Sequence, residues 1–306
     1  MIEQYLLDII ICPKCKGELL ENNGGLICKQ CGINYHVDDG IPVLLSPATY
    51  HDIGEILPAW NSRWLKTAEP VPSGLENEPD IMSAFGHVKK YFDLYPSDNF
   101  MEAGCGSGRL LYLMGKLGIK VIGMDLSVEA LKLTRRWLEK AGIRNSYFIC
   151  GDMRYMPIKD SKIGFIYGGG SIEHFEETQL GINELRRVLR QEGLLTLTYP
   201  LLSIASLTYR QLYGNIPELP VLKQLYKFVH VNIFRKKFMI FGLEKSFFIS
   251  TMEKYYKKAG FTNVSSAYFD TYLDIAVFKS EFIKNLLRKT AKNRLFWPMV
   301  FTNGVK

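Results

Sequence analysis

Between residues 81 and 200 short apolar runs alternate with longer amphipathic stretches. Leu117 to Asp125, Ser146 to Cys150, Ile163 to Tyr167 and Gly193 to Tyr199 read as buried strands, as does the run ending at Glu102. Ile81 to Tyr95, with Phe85, Val88, Tyr91 and Phe92 at helical spacing, and Asn183 to Arg190 read as helices between or before them. Strands that alternate with helices of this length predict βαβ units and an α/β core. Pro200 stops the pattern. It resumes with a helix from Phe248 to Gly260 and strands near Val264 to Phe269 and Leu273 to Phe278.

The first strand runs into Gly104-Cys105-Gly106-Ser107-Gly108-Arg109. Alternate glycines let the chain turn sharply from strand to helix and expose bare backbone to a ligand. A dinucleotide fingerprint needs G-x-G-x-x-G, whereas here Gly108 comes early and Arg109 holds the third glycine's place. Acids close three strands in register: Glu102, Asp125, and Asp152 just beyond Cys150. An acid at position 125 or 152 alone is also explained as a helix cap.

The pattern E-x-G-x-G-x-G, with Asp125, the Gly151-Asp152-Met153 step and the segment NELRRVLR…GLLTLTY, resembles class I S-adenosylmethionine-dependent methyltransferases, closest to their type 11 group. The resemblance implies a Rossmann-like, doubly wound sheet of seven strands over residues 81–280. It also implies a cofactor site of Glu102, Gly104, Cys105, Gly106, Gly108, Asp125, Leu126, Asp152, Met153, Gly168 and Gly169. In that family the acid at 102 lies near the cofactor's amino group, the one at 125 takes the ribose hydroxyls and the one at 152 faces the adenine amino group. Gln191-Glu192 stands where the family has proline and glycine, which predicts an altered turn. The loop Gly168 to Phe175 faces cofactor and substrate together, making His174 the first candidate for a base and Glu173 the second. Hydrogen bonding of His174 to loop backbone is the alternative.

Cys12-Pro13-Lys14-Cys15 and Cys28-Lys29-Gln30-Cys31 form two C-x-x-C knuckles. Four thiolates suit one tetrahedral structural Zn²⁺, and with no position left for water the ion holds the fold rather than acting on substrate. A disulfide framework would need an oxidising compartment, and Met1-Ile2-Glu3-Gln4 has no basic leader region. With its flanking apolar runs the segment is similar to the zinc ribbon of the activator subunit of tRNA and protein methyltransferases. That implies a ribbon over 1–46, with Ile41 to Leu45 folding back on it, and leaves a protein partner at the ribbon open. Cys105 and Cys150 read as small buried apolar residues.

Residues 47–80 read as a linker, ordered in part through Trp60 and Trp64, and residues 201–246, apolar, aromatic and basic, as a substrate lid. Residues 201–306 carry 17 Lys and Arg against 6 Asp and Glu, while the chain as a whole is +7. Basic and apolar residues interleave from Lys284 to Pro298, so 281–306 reads as an amphipathic tail suited to a lipid interface. Pro200 and Arg210 interrupt the longest apolar stretch, which excludes a spanning segment of about 20 residues.

The sequence thus predicts a cytoplasmic methyltransferase, at most peripheral at the inner membrane face, acting on a small-molecule, glycan or lipid-linked acceptor. An RNA base methyltransferase gripping RNA through the ribbon ranks behind it. Basic residues are not concentrated in the ribbon, and GGGSIEHF lacks the Asn/Asp-Pro-Pro-aromatic signature of amino-group methylases. A non-catalytic cofactor-binding scaffold is the third reading.

Overall fold

The computed structural model describes residues 2–53, 57–58, 61–62, 74–239, 242–269 and 278–306. Trp60, Trp64 and most of the expected strand Leu273 to Phe278 lie outside them. Fourteen strands occur among the described residues, in three sheets. Three small ones, β1 (Leu19–Asn22), β2 (Gly25–Cys28) and β3 (Asn34–Tyr35), form the cysteine-bearing ribbon. β4 (Val37–Asp38) and β5 (Ile41–Leu44) follow, then β6 (Asn99–Ala103), β7 (Lys120–Asp125), β8 (Ser146–Gly151), β9 (Ile163–Gly169) and β10 (Leu189–Pro200). β11 (Asn215–Pro217) pairs with β12 (Glu244–Ser246) inside the insertion, and β13 (Thr262–Phe269) and β14 (Met299–Val305) complete the set.

The main sheet has the order β13-β14-β10-β9-β6-β7-β8-β5-β4. Its strands from β8 to β13 are seven, in the chain order third, second, first, fourth, fifth, seventh, sixth. This is the doubly wound sheet expected, parallel except where β14 enters antiparallel to β10 and β13. Chain direction across the sheet reverses between β6 and β9, which opens a crevice at the carboxyl ends of these strands. Helices Pro79–Leu94, Arg109–Lys116, Val128–Lys140, Thr178–Val188 and Ile249–Ala259 accompany the sheet. Gln191 and Glu192 lie within β10 at an irregularity, with Glu192 at φ +63° and a register shift between Leu189 and Leu194.

Three boundaries differ from the sequence reading. Ile41–Leu44 folds back as expected, antiparallel to β4 and with the Val43 N–H donating to His36 O at 3.0 Å, but it is not confined to the ribbon. As β5 it pairs in parallel with β8, because all four of its residues are buried and a fully apolar strand needs cover on both faces. The ribbon in turn lies on the main body, with an Ile10–Ile158 bridge, the Ile11 N–H donating to Pro157 O at 3.0 Å and a Lys16–Glu184 ion pair at 2.6 Å.

Nor is 281–306 a tail. Helix Glu281–Thr290 leads through a short turn into β14, buried between two strands. Its polar residues are partly paired inside the sheet: Thr196 donates to Asn303 Oδ1 at 2.8 Å, and Tyr199 and Thr302 share a hydrogen bond of 2.8 Å. The expected linker contributes helix Pro47–Ile53, whose Thr49 is fully buried. No helix among the described residues is long and apolar enough to cross a membrane.

Candidate active site and metal centre

At the carboxyl ends of β6, β7 and β9 lies a cavity of about 440 Å³. The turn after β6 forms its floor. Gly104, Gly106 and Gly108 adopt φ of +80°, +50° and +65°. A Cβ on Gly104 would come within 2.7 Å of Ser171, so this backbone must stay bare. Asp125, at the end of β7, pins the turn by accepting the Gly106 N–H and the Ser127 N–H, each at 2.9 Å. Glu102 is buried beneath and accepts the Leu111 N–H at 3.3 Å. Removal from water pushes its carboxyl up to about 8, and also raises Asp125.

Glu102, Gly104, Cys105, Gly106, Asp125, Leu126, Met153, Gly169, Glu173 and His174 from the sequence analysis all line this cavity. Gly108, Gly168 and Asp152 do not. Gly108 precedes the helix Arg109–Lys116, where a Cβ would strike Thr134 at 2.1 Å, and Gly168 stays within β9 against Leu197. Asp152 is the larger departure. Its carboxylate, expected toward an adenine, takes the Arg154 N–H at 2.8 Å, the Arg154 guanidinium at 2.8 Å and the Thr49 hydroxyl at 2.9 Å. A fully buried charge needs such partners, and Arg154 two residues on supplies them. The capping role left open for this acid is the one the structure gives it.

His174 Nδ1 lies 2.6 Å from Leu243 O, so the ring donates there and ties the loop after β9 to the insertion. Burial lowers its pKa, favouring the neutral ring. Glu173 is 3% exposed, and its Oε2 has no hydrogen-bond partner among the described residues. Burial, with the negative Glu244 adding to it, pushes Glu173 up to about 8.

Two further residues were not legible beforehand. Arg210 and Glu244, 34 positions apart in the insertion, meet at 2.7 Å and line the cavity opposite the glycine turn's acids. Asn215 also donates to Glu244, at 3.2 Å. Their only signal in the sequence is that each is a charge set in a mostly apolar stretch. Tyr167, Thr198, Phe175, Phe269 and Met299 complete the apolar side of the wall.

In the ribbon the four Sγ atoms of Cys12, Cys15, Cys28 and Cys31 lie within 4.8 Å of one another. Cys12 to Cys31 is 3.7 Å and Cys15 to Cys28 is 3.5 Å. Tetrahedral thiolates at metal–sulfur distances of 2.3 Å stand about 3.8 Å apart, so the donor set fits one ion. The Tyr35 hydroxyl, 3.1 Å from Cys12 Sγ, can donate to that sulfur, while His36 is exposed and outside the cluster.

Residues 101–197 match a family described as "Methyltransferase domain", and residues 3–40 one described as "Trm112p-like protein". A demethylmenaquinone methyltransferase of Chlorobaculum parvum is 28% identical over 164 residues, 53% of this chain and 60% of that protein. The chain therefore spans less than two thirds of this relative. A UPF0434 protein of Stutzerimonas stutzeri is 51% identical over 59 residues, 18% of this chain and 97% of the relative. Among solved structures, the complex of the Haloferax volcanii Trm112 methyltransferase activator with a candidate methyltransferase aligns at TM-score 0.51 and 16% identity, covering 83% of this chain and 97% of that one. At that identity the likeness is one of fold.

Proposed function

We infer, for a chain that belongs to the methyltransferases with a Trm112p-like domain of the UPF0434 kind at its N-terminus, that it transfers a methyl group from S-adenosylmethionine to a small-molecule, glycan or lipid-linked acceptor. The observation that carries this reading is the convergence of a bare glycine turn and two carboxyls, buried Glu102 and half-buried Asp125, on one cavity at the sheet's switch point. A buried carboxyl held near 8 by its removal from water, which the nearby Arg109 only partly offsets, is a poor resident of an apolar pocket and a good partner for a cationic ligand. Glu102 would face the cofactor's amino group, Asp125 its ribose hydroxyls, and Leu126 and Met153 the two sides of the base. The cofactor supplies an electrophilic methyl carbon, so the protein's task is to align the acceptor and exclude water.

The acceptor side is the wall of Glu173, Arg210, Glu244, Tyr167 and Phe269. Glu173, rather than His174, is the group we assign to take the acceptor's proton. Its Oε2 is unengaged, and its raised pKa places it near neutrality, where a base is effective. His174, bonded through Nδ1 to Leu243 O, positions the loop. The ribbon's four cysteines hold a structural Zn²⁺, with no open position for a reacting water.

The test is S-adenosylhomocysteine formation with lipid-linked quinols, sugar phosphates and RNA offered separately. Turnover with one of the first two is expected, and Glu173→Gln should lower it by about 10²–10⁴ while leaving cofactor affinity unchanged. Turnover with RNA alone, or undiminished turnover in the Gln variant, contradicts the assignment.

A further inference from the structure

The insertion between β10 and the helix Ile249–Ala259 has an inner and an outer side. Arg210 and Glu244 form part of the cavity wall. The outer side is apolar and basic. Helix Pro220–Phe228 buries none of its residues, leaving Val221 80%, Leu225 53% and Phe228 56% exposed. The chain continues to Ile233 and Phe234, 60% and 41% exposed, and then to Arg235, Lys236 and Lys237, all three exposed.

Residues 219–239 contain five Lys and Arg and no acid. Lys223 and Lys227 are occupied by Glu176, at 2.7 and 3.3 Å, which anchors the inner edge of the helix to the loop beside the cavity. The three consecutive cations at 235–237 follow the aromatic tip in the chain and are exposed. A second amphipathic element adjoins. Helix Glu281–Thr290 exposes Phe282 at 78% and Leu286 at 51% among Lys284, Arg288 and Lys289. It is joined to the insertion through the Tyr209–Phe278 ring contact and the Ser203 hydroxyl, which donates to Trp297 O at 2.8 Å.

Large apolar side chains stranded together on a surface mark an interaction site. The charge pattern selects among occupants. A second copy would bring the same cations against these, a repulsion. A negatively charged plane meets every exposed cation while its interior accepts the aromatic and aliphatic groups between them. We propose that the outer face of the insertion, residues 221–237, seats on an anionic lipid bilayer. This face is separate from the methyl-transfer reading and is tested without any turnover.

Full-length protein is sedimented with vesicles of phosphatidylcholine alone or of equimolar phosphatidylcholine and phosphatidylglycerol. It should pellet with the anionic vesicles only and be released by salt. With each cation near the surface contributing about 1 kcal/mol, the triple variant Arg235→Gln, Lys236→Gln, Lys237→Gln should partition roughly a hundredfold more weakly. Val221→Ser with Phe228→Ser should also weaken binding, and both variants should melt with the wild type because all five positions are exposed. Wild-type protein left in the supernatant with anionic vesicles at low salt overturns the proposal, as does a triple variant that pellets undiminished. So does a solution dimer that Phe228→Ser separates and that ignores vesicles, since a second copy would then cover the face.

Discussion

Glu102 and Glu173 show how far single residues were readable. Glu102 was legible because it closes an apolar run directly before a glycine turn, and position along a strand then fixes where it sits. For Glu173 the loop was legible but not the division of labour with His174, which depends on Leu243, 69 positions away. Asp152 was misleading for a related reason. Its neighbour Arg154 and the distant Thr49 claim the carboxylate, and nothing in the local pattern announces a contact across 103 residues. The raised pKa of Glu173 has a stability consequence whose sign is fixed. A carboxyl near 8 when folded and 4.5 otherwise adds stability that is complete below about 4.5 and is lost as the pH rises through about 8. Glu173→Gln cannot ionise. In the ligand-free protein its advantage over wild type should therefore grow with pH, to at most roughly 5 kcal/mol in alkaline buffer. Thermal melts across the pH range read this directly, and a constant difference would contradict the buried, unpaired carboxyl.

Among elements, the central strands were legible because they are continuous apolar runs bounded by glycine or acid, as two-sided burial requires. β14 was not. Thr302, Asn303 and Gly304 give it a polar reading that only its folded-state partners, Thr196 and Tyr199 in the sheet and His87 on the helix Pro79–Leu94, make tolerable. β5 was recognised as apolar, but its partner could not be inferred from its composition. Its placement beside β8 means that the metal ribbon is continuous with the edge of the main sheet. Removing the ion should therefore be felt beyond the ribbon. Metal-stripped protein should lose several kcal/mol, about 10 °C or more in melting temperature. Amide exchange should show β5 and its neighbour β8 losing protection together with β1 to β3. Loss confined to the ribbon would mean that β5 holds its place without the metal.

At the scale of the whole molecule, the ribbon and the insertion both pack against the sheet that carries the cavity. Ribbon residues Leu26 and Tyr35 belong to the same apolar core as Met101, Ile149 and Ile166 of the sheet. The insertion supplies Arg210 and Glu244 to the cavity while β6 and β7 supply Glu102 and Asp125. Sequence patterning revealed both halves but not their meeting, because the ion pair that links the insertion's ends forms only on folding. The central claim is that this cavity holds an adenosyl sulfonium compound against ionised Glu102 and Asp125. Isothermal titration calorimetry of metal-replete, full-length protein with S-adenosylmethionine and, separately, a nicotinamide dinucleotide tests it most directly. Binding of the first should release a proton near neutral pH, seen as a buffer-dependent enthalpy, because the incoming cation pulls a carboxyl near 8 back to its charged form. No heat with S-adenosylmethionine, together with clear binding of the dinucleotide, would contradict it.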